Sequence, residues 1–158
     1  MAKMLVVYDS KTGNTEKMAY AVAEGIKTVG GITVDVKKVE QTTLEDLQAA
    51  DGIIIGSPTY YGEMSAKIKE LMDRSVAIHG SLEGKVGAAF TSSGGAASGA
   101  ETTLLSIIHV MLVHGMIVQG RSRTEHYGTA AVGAPNEDET HLCRDLGERT
   151  AQLVARIK

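Results

Sequence analysis

The chain has 158 residues, 43% of them hydrophobic and 22% charged, with a formal net charge of -3. That length suits one domain, 1–158, with a sizeable core, and so mild a negative balance gives no reason to expect nucleic acid or a membrane surface as partner. The single cysteine, Cys143, can make neither an internal disulfide nor a cysteine metal site; no apolar run nears the ~20 residues of a membrane span, and no signal pattern opens the chain, so a cytoplasmic protein is expected.

Apolar runs of strand length recur at Met4–Tyr8, Ile32–Val39, Gly52–Ile55, Val86–Phe90 and Met116–Val118. Helical patterns lie between them. Met18, Ala19, Val22, Ile26 and Val29 fall at helical spacing. Thr42 with Glu45 reads as a capping box for a short helix ending near Ala50. After Ser65, the residues Ile68, Leu71, Met72 and Ser75 share one face. Ser98 with Glu101 reads as a second capping box, for a helix reaching about His114. Asn136 with Glu139 opens the last helix, with an expected inner stripe of Leu142, Leu146, Leu153 and Ile157. Arg121–Pro135 shows no period and is expected to be a long loop.

Alternating strands and helices predict an α/β fold, a doubly wound parallel sheet with helices on both faces. Ile32, Val34 and Val36 alternate with Thr33, Asp35 and Lys37, which marks the second strand as an edge. The other strands are continuously apolar and therefore central. Five strands favour the order 2-1-3-4-5. Ligands of such sheets bind beyond the carboxyl ends of the strands, at the switch between strands one and three. Three loops meet there: Ser10–Thr15, Ser57–Met64 and Ser92–Gly99.

The first, "SKTGNT", ends at a helix N-terminus, where free N–H groups favour an anion. Ser10, Thr12 and Thr15 add hydroxyls, Gly13 allows close approach, Asn14 is a further candidate in the same loop, and Lys11 either lends charge or points into water. A terminal phosphate fits such neutral donors. The competing reading is that Thr15 only caps the helix. Neither Gly-x-x-x-x-Gly-Lys-[Ser/Thr] nor Gly-x-Gly-x-x-Gly occurs, which argues against nucleoside triphosphate hydrolysis and a dinucleotide fingerprint. The second, "SPTYYGEM", places Pro58, Thr59, Tyr60, Tyr61 and Gly62 at the same edge. Its tyrosines suit a flat heteroaromatic ring, unless they pack on the next helix. The third offers Ser92, Ser93, Gly94, Gly95, Ala96 and Ala97, small residues with backbone donors and no aromatic.

With these loops in series, the chain resembles the flavodoxin-like FMN-binding family, and within it the WrbA-type NAD(P)H:quinone oxidoreductases in a short form. The matching segments are "GNTEKMA", "GSPTYYGEMSAKIKELMDR", "FTSSGG" with "ETTL", "HGM" and "LGERTAQLVARI". The resemblance implies that Ser10–Thr15 hold an FMN phosphate. It implies that Pro58, Thr59 and Tyr60 approach the isoalloxazine, that Ser92–Ala97 bind its far edge, and that His114 lies near the flavin. It also implies NAD(P)H as a possible donor and a quinone, another small acceptor or a redox protein as partner, with a homo-oligomer possible. Backbone groups at Tyr61–Gly62 would hydrogen-bond ring N5, and Glu63 would oppose negative charge there. The chain is shorter than those oxidoreductases and has no tryptophan.

Two-electron chemistry is expected, because the third loop leaves the ring's outer face open. The alternatives are a one-electron flavodoxin, whose glycine peptide turns toward N5, and a non-enzymatic FMN-binding module. A receiver domain would need an Asp after strand three, where Gly56-Ser57 stand, and a low-molecular-weight phosphatase would need a Cys in the first loop. His79 and His141 are expected at the surface, and His109 packed or facing water. His126 and Tyr127 are expected in the long loop, within possible reach of a ligand or a neighbouring subunit. No histidine pair has metal-ligand spacing, so no metal is expected.

Overall fold

The computed structural model describes residues 1–158. The order is β1 (Ala2–Tyr8), α1 (Asn14–Lys27), β2 (Ile32–Lys38), α2 (Leu44–Ala49), β3 (Gly52–Pro58), α3 (Ala66–Arg74), β4 (Val86–Ser93), α4 (Ala100–Val113), β5 (Ile117–Val118), β6 (Thr129–Val132) and α5 (Glu137–Ile157). The sheet is parallel, in the expected order β2-β1-β3-β4-β5, with β6 also paired to β4.

Side chains of each central strand point alternately to two cores. Leu5, Val7, Ile53, Ile55 and Ala89 meet Ile68, Leu71, Leu104, Ile107 and Met111 of α3 and α4. Met4, Val6, Ile54, Ala88 and Phe90 meet Met18, Val22, Ile26, Leu146 and Val154 of α1 and α5. Each large side chain so buried contributes roughly 1.5–3 kcal/mol. β2 alternates in exposure as its sequence predicts for an edge. No helix is long and apolar enough to cross a membrane.

The expected fifth strand is split. β5 pairs with Val86–Gly87 at the start of β4, the chain leaves the sheet, and β6 returns to pair with Phe90–Ser93 at its end. Part of the expected loop Arg121–Pro135 is therefore strand. Thr129-Ala130-Ala131-Val132 is short and half alanine, a poor strand former, so pairing with β4 decides its conformation.

The inner stripe of α5 also differs. Cys143, Leu146, Gly147, Thr150, Ala151 and Val154 are buried, while Ile157 is exposed. Small residues face inward because α1 and α5 nearly touch. A Cβ on Gly147 would come 2.0 Å from the Val22 carbonyl oxygen, and one on Gly25 would come 1.9 Å from that of Arg144. Two caps move as well. α2 is capped by Thr43 with Asp46 rather than Thr42 with Glu45, and α4 starts from Gly99 in the left-handed region with no side-chain cap. Ser98 Oγ instead donates to the Gly95 carbonyl at 2.5 Å. The Asn136–Glu139 box forms as expected.

Candidate functional site

The carboxyl ends of β1, β3 and β4 open into a cleft of ≈ 180 Å³. Its twelve lining residues are Ser10, Lys11, Thr12, Asn14, Thr15, Pro58, Thr59, Tyr60, Ser92, Ser93, Gly94 and Gly133. All three predicted loops therefore meet in one place. Lys11 is the only charged residue of the twelve, so the wall is otherwise made of neutral donors and acceptors.

The floor is the start of α1. Gly13 takes φ 95° and turns the chain into the helix, and its N–H donates to Ser10 Oγ at 3.1 Å. The first helical backbone bond is Lys17 N–H to the Gly13 carbonyl, so the N–H groups of Asn14, Thr15 and Glu16 have no acceptor within the helix. Thr15 does not cap α1. Its hydroxyl, 2% exposed, meets Ser92 Oγ at 2.7 Å.

The walls are strand ends rather than loops. β3 continues through Ser57-Pro58 and β4 through Ser92-Ser93. Thr59 N–H donates to the Ser92 carbonyl at 2.8 Å, and Thr59 Oγ1 meets Thr91 Oγ1 at 2.8 Å. Thr91 Oγ1 in turn donates to the Ser57 carbonyl at 2.7 Å. This hydroxyl ladder fixes both walls without a charge. Gly133, absent from the sequence prediction, joins because β6 carries it there, its N–H on the Ser93 carbonyl at 2.8 Å. No local signal marked it.

Beyond Tyr60 the chain reverses in two residues. Tyr60 and Glu63 exchange both backbone hydrogen bonds at 3.1 Å, with Tyr61 at φ 51° and Gly62 at φ 77°. Two positive φ angles between paired residues make this a type I′ turn. Tyr60 is half-exposed beside the cleft, whereas Tyr61 is fully exposed at the tip. Gly62 rests on the start of α4, where a Cβ on Gly99 would lie 2.6 Å from Gly62 Cα. Neither Tyr61 nor Gly62 lines the cleft, and neither do Gly95, Ala96 and Ala97, which lie farther along the β4–α4 connection.

His114 does not join this group within one chain. It ends α4 at the opposite edge of the sheet, buried among Leu47, Ile53, Met72, Leu82 and Met116. Its Nε2 meets Ser75 Oγ at 2.7 Å, and its Nδ1 has no partner. Burial first, and the neighbouring His79 second, hold this imidazole below its ordinary 6.5. Ser75 Oγ donates to the Met72 carbonyl at 2.6 Å, so it accepts from Nε2–H. Such a histidine is a packed core group. His79, His109, His126 and His141 are exposed. His126 and Tyr127 line a separate cleft with Glu101 and Leu104.

The family model described as NADPH-dependent FMN reductase matches residues 33–128. A protein named flavodoxin from Aquifex aeolicus is 42% identical over 163 aligned positions, covering 98% of this chain and 88% of that one. A protein named NAD(P)H dehydrogenase (quinone) from Archaeoglobus fulgidus is 36% identical over 191 aligned positions, covering 99% of this chain and all of that one. The longer alignment means that the quinone dehydrogenase carries insertions this chain lacks. Among solved structures, a flavodoxin, WrbA-like protein from Agrobacterium tumefaciens superposes with a TM-score of 0.86 at 26% identity over the full length of both chains.

Proposed function

The chain belongs to the flavodoxin-like FMN-binding family of redox proteins, and from that premise we propose that it is a two-electron oxidoreductase passing electrons from NAD(P)H to quinones or acceptors of similar chemistry. The observation that carries the cofactor assignment is the hydroxyl-lined cleft at the N-terminus of α1, with Lys11 its one charged residue. A phosphate monoester needs several donors and close backbone approach. Free N–H groups of α1, the hydroxyls of Ser10, Thr12 and Thr15, and open space where Gly13 would carry a Cβ supply both. Pro58, Thr59 and Tyr60 would flank the ring on one side, and Ser92, Ser93 and Gly94 on the other. Bound FMN supplies the redox chemistry; the chain binds it, orients it and sets access to it.

Two features favour two-electron chemistry. The Ser92–Ala97 side carries no aromatic, so a flat acceptor has room over the ring. The turn at Tyr61–Gly62 also resists the rotation a one-electron carrier uses. Turning that single peptide converts a type I′ turn to type II′, whose first central position is a glycine position. Here that position is Tyr61, already at φ 51°.

The flavodoxin reading stands second. It draws on the 163-position alignment with the Aquifex aeolicus protein, which has few insertions. Mass spectrometry of the released cofactor tests the first step, and FMN is expected; FAD, or no flavin after reconstitution, overturns it. Anaerobic titration with NADH and NADPH, followed by benzoquinone, tests the second. Reduction in one step and turnover of the quinone are expected. Two well-separated steps without turnover assign the chain to the one-electron carriers.

A further inference from the structure

We propose that the Thr15–Ser92 hydroxyl pair couples the anion end of the cleft to its ring end, with Ser92 as a positioning residue whose hydrogen-bonding direction is set by the bound phosphate. This rests on the FMN reading above. The two residues are 77 positions apart, both buried, and their oxygens lie 2.7 Å apart. Both also line the cleft. Neither hydroxyl has another partner, and either can be the donor.

Proton counting makes the pair directional. A hydroxyl has one proton and two lone pairs. A phosphate dianion offers only acceptors. When one occupies the start of α1, the Thr15 proton goes to it, because a charge-assisted hydrogen bond is the stronger choice. Thr15 Oγ1 then accepts from Ser92, and the Ser92 proton is committed. What Ser92 still presents to the cleft is a lone pair. It now accepts from the ligand, from a hydroxyl of a polyol chain or from a ring N–H. Without the anion, Thr15 donates to Ser92 equally well, and that acceptor role is unset. Chains of hydroxyls polarise one another in the same sense, so the coupling is positive.

The test separates the two halves of the cofactor. Riboflavin has the ring and polyol without the phosphate, and inorganic phosphate supplies the anion. Riboflavin affinity for the apoprotein is measured by fluorescence quenching with and without saturating phosphate, at constant ionic strength in chloride. Phosphate is expected to tighten riboflavin binding about fivefold or more. Ser92→Ala is expected to bring that ratio close to one, whatever it does to riboflavin affinity itself. Ser92→Cys keeps the shape and weakens the donor, and reads the same ratio should the alanine chain not fold. Thr15→Ser, which keeps the hydroxyl and removes only the methyl, is expected to keep the coupling. A wild-type ratio of one, or an unchanged ratio in Ser92→Ala or Ser92→Cys, overturns the coupling while FMN still binds. Failure of FMN itself to bind overturns the reading beneath it as well.

Discussion

Two buried polar pairs lie at opposite ends of the same sheet, and they do different work. Thr15 and Ser92 meet at the carboxyl ends, where the strands open into a hydroxyl-lined cleft. Ser75 and His114 meet at the amino ends, between apolar side chains, next to a void of only ≈ 10 Å³. Both contacts measure 2.7 Å. The first pair has spare hydrogen-bonding capacity facing a space a ligand can enter. The second has an orphan nitrogen with no hydrogen-bond partner and no cleft to reach into. A buried polar contact therefore serves binding or serves folding according to what its unused lone pairs and protons can reach. The same contrast explains why a histidine implied by resemblance to lie near the ring is, within this chain, part of the core.

The largest expected effect is at the carboxyl end. Thr12→Ala combined with Thr15→Ala should weaken FMN binding by one to two orders of magnitude per residue, since a hydrogen bond to a charged group is worth about 1.5–3 kcal/mol. Thermal stability of the apoprotein should move much less, because the lost groups face the cleft. Isothermal titration and a melting curve on the same sample check both statements. Equal losses of stability and affinity would erase the distinction between the ends.

The mirror experiment is Ser75→Ala. It strands the His114 Nε2–H, while the Met72 carbonyl keeps the Ser75 backbone N–H, and a buried orphan costs about 1–3 kcal/mol. Urea unfolding should shift by that order while FMN affinity stays at the wild-type value. A fall in FMN affinity without a fall in stability would return His114 to the flavin site.

The two ends were not equally legible. Strand order and the meeting of three loops at one cleft could be read because apolar runs, hydroxyl-rich junctions and helix starts are local patterns. The Thr15–Ser92 contact spans 77 residues, and no local pattern encodes it. Gly133 was missed because β6, half alanine, becomes a strand only by pairing with β4. The stripe of α5 was misjudged by following its leucines. Gly25 and Gly147 bring two helices so close that small residues must face inward, which is a property of the pair of helices.

A smaller effect is expected at the turn that bounds the ring end. Gly62→Ala adds a Cβ at φ 77°, 3.1 Å from Thr102 Oγ1. The left-handed region costs a non-glycine residue about 1–2 kcal/mol, and the Thr102 side chain must also give slightly. Stability should fall by that order. Tyr61→Gly should relieve the φ 51° strain already present. It should also let the Tyr61–Gly62 peptide rotate, which separates the two reduction steps of the FMN-loaded protein in a potentiometric titration. Unchanged potentials in Tyr61→Gly would mean that the turn does not control electron count.

The smallest expected effect is a pH dependence that belongs to the amino end alone. Burial first and the facing His79 second depress the affinity of His114 for a proton in the folded chain. Protonation would place a second N–H, on Nδ1, where no acceptor exists. In the unfolded chain the same imidazole titrates near its ordinary 6.5. Below that value the unfolded state binds more protons than the folded one, so stability rises with pH through this window. The His114 contribution is therefore fully present above about pH 6.5 and is lost as the pH falls toward the depressed folded value. Urea unfolding at pH 7.5 and at pH 5.5 measures the difference. In His114→Gln, which keeps a donor for Ser75 and cannot titrate, this part of the slope should vanish even if overall stability drops. Parallel slopes in the two chains would mean that other groups set the acid limit, and that the sealed pair at the amino end is not the pH-sensitive one.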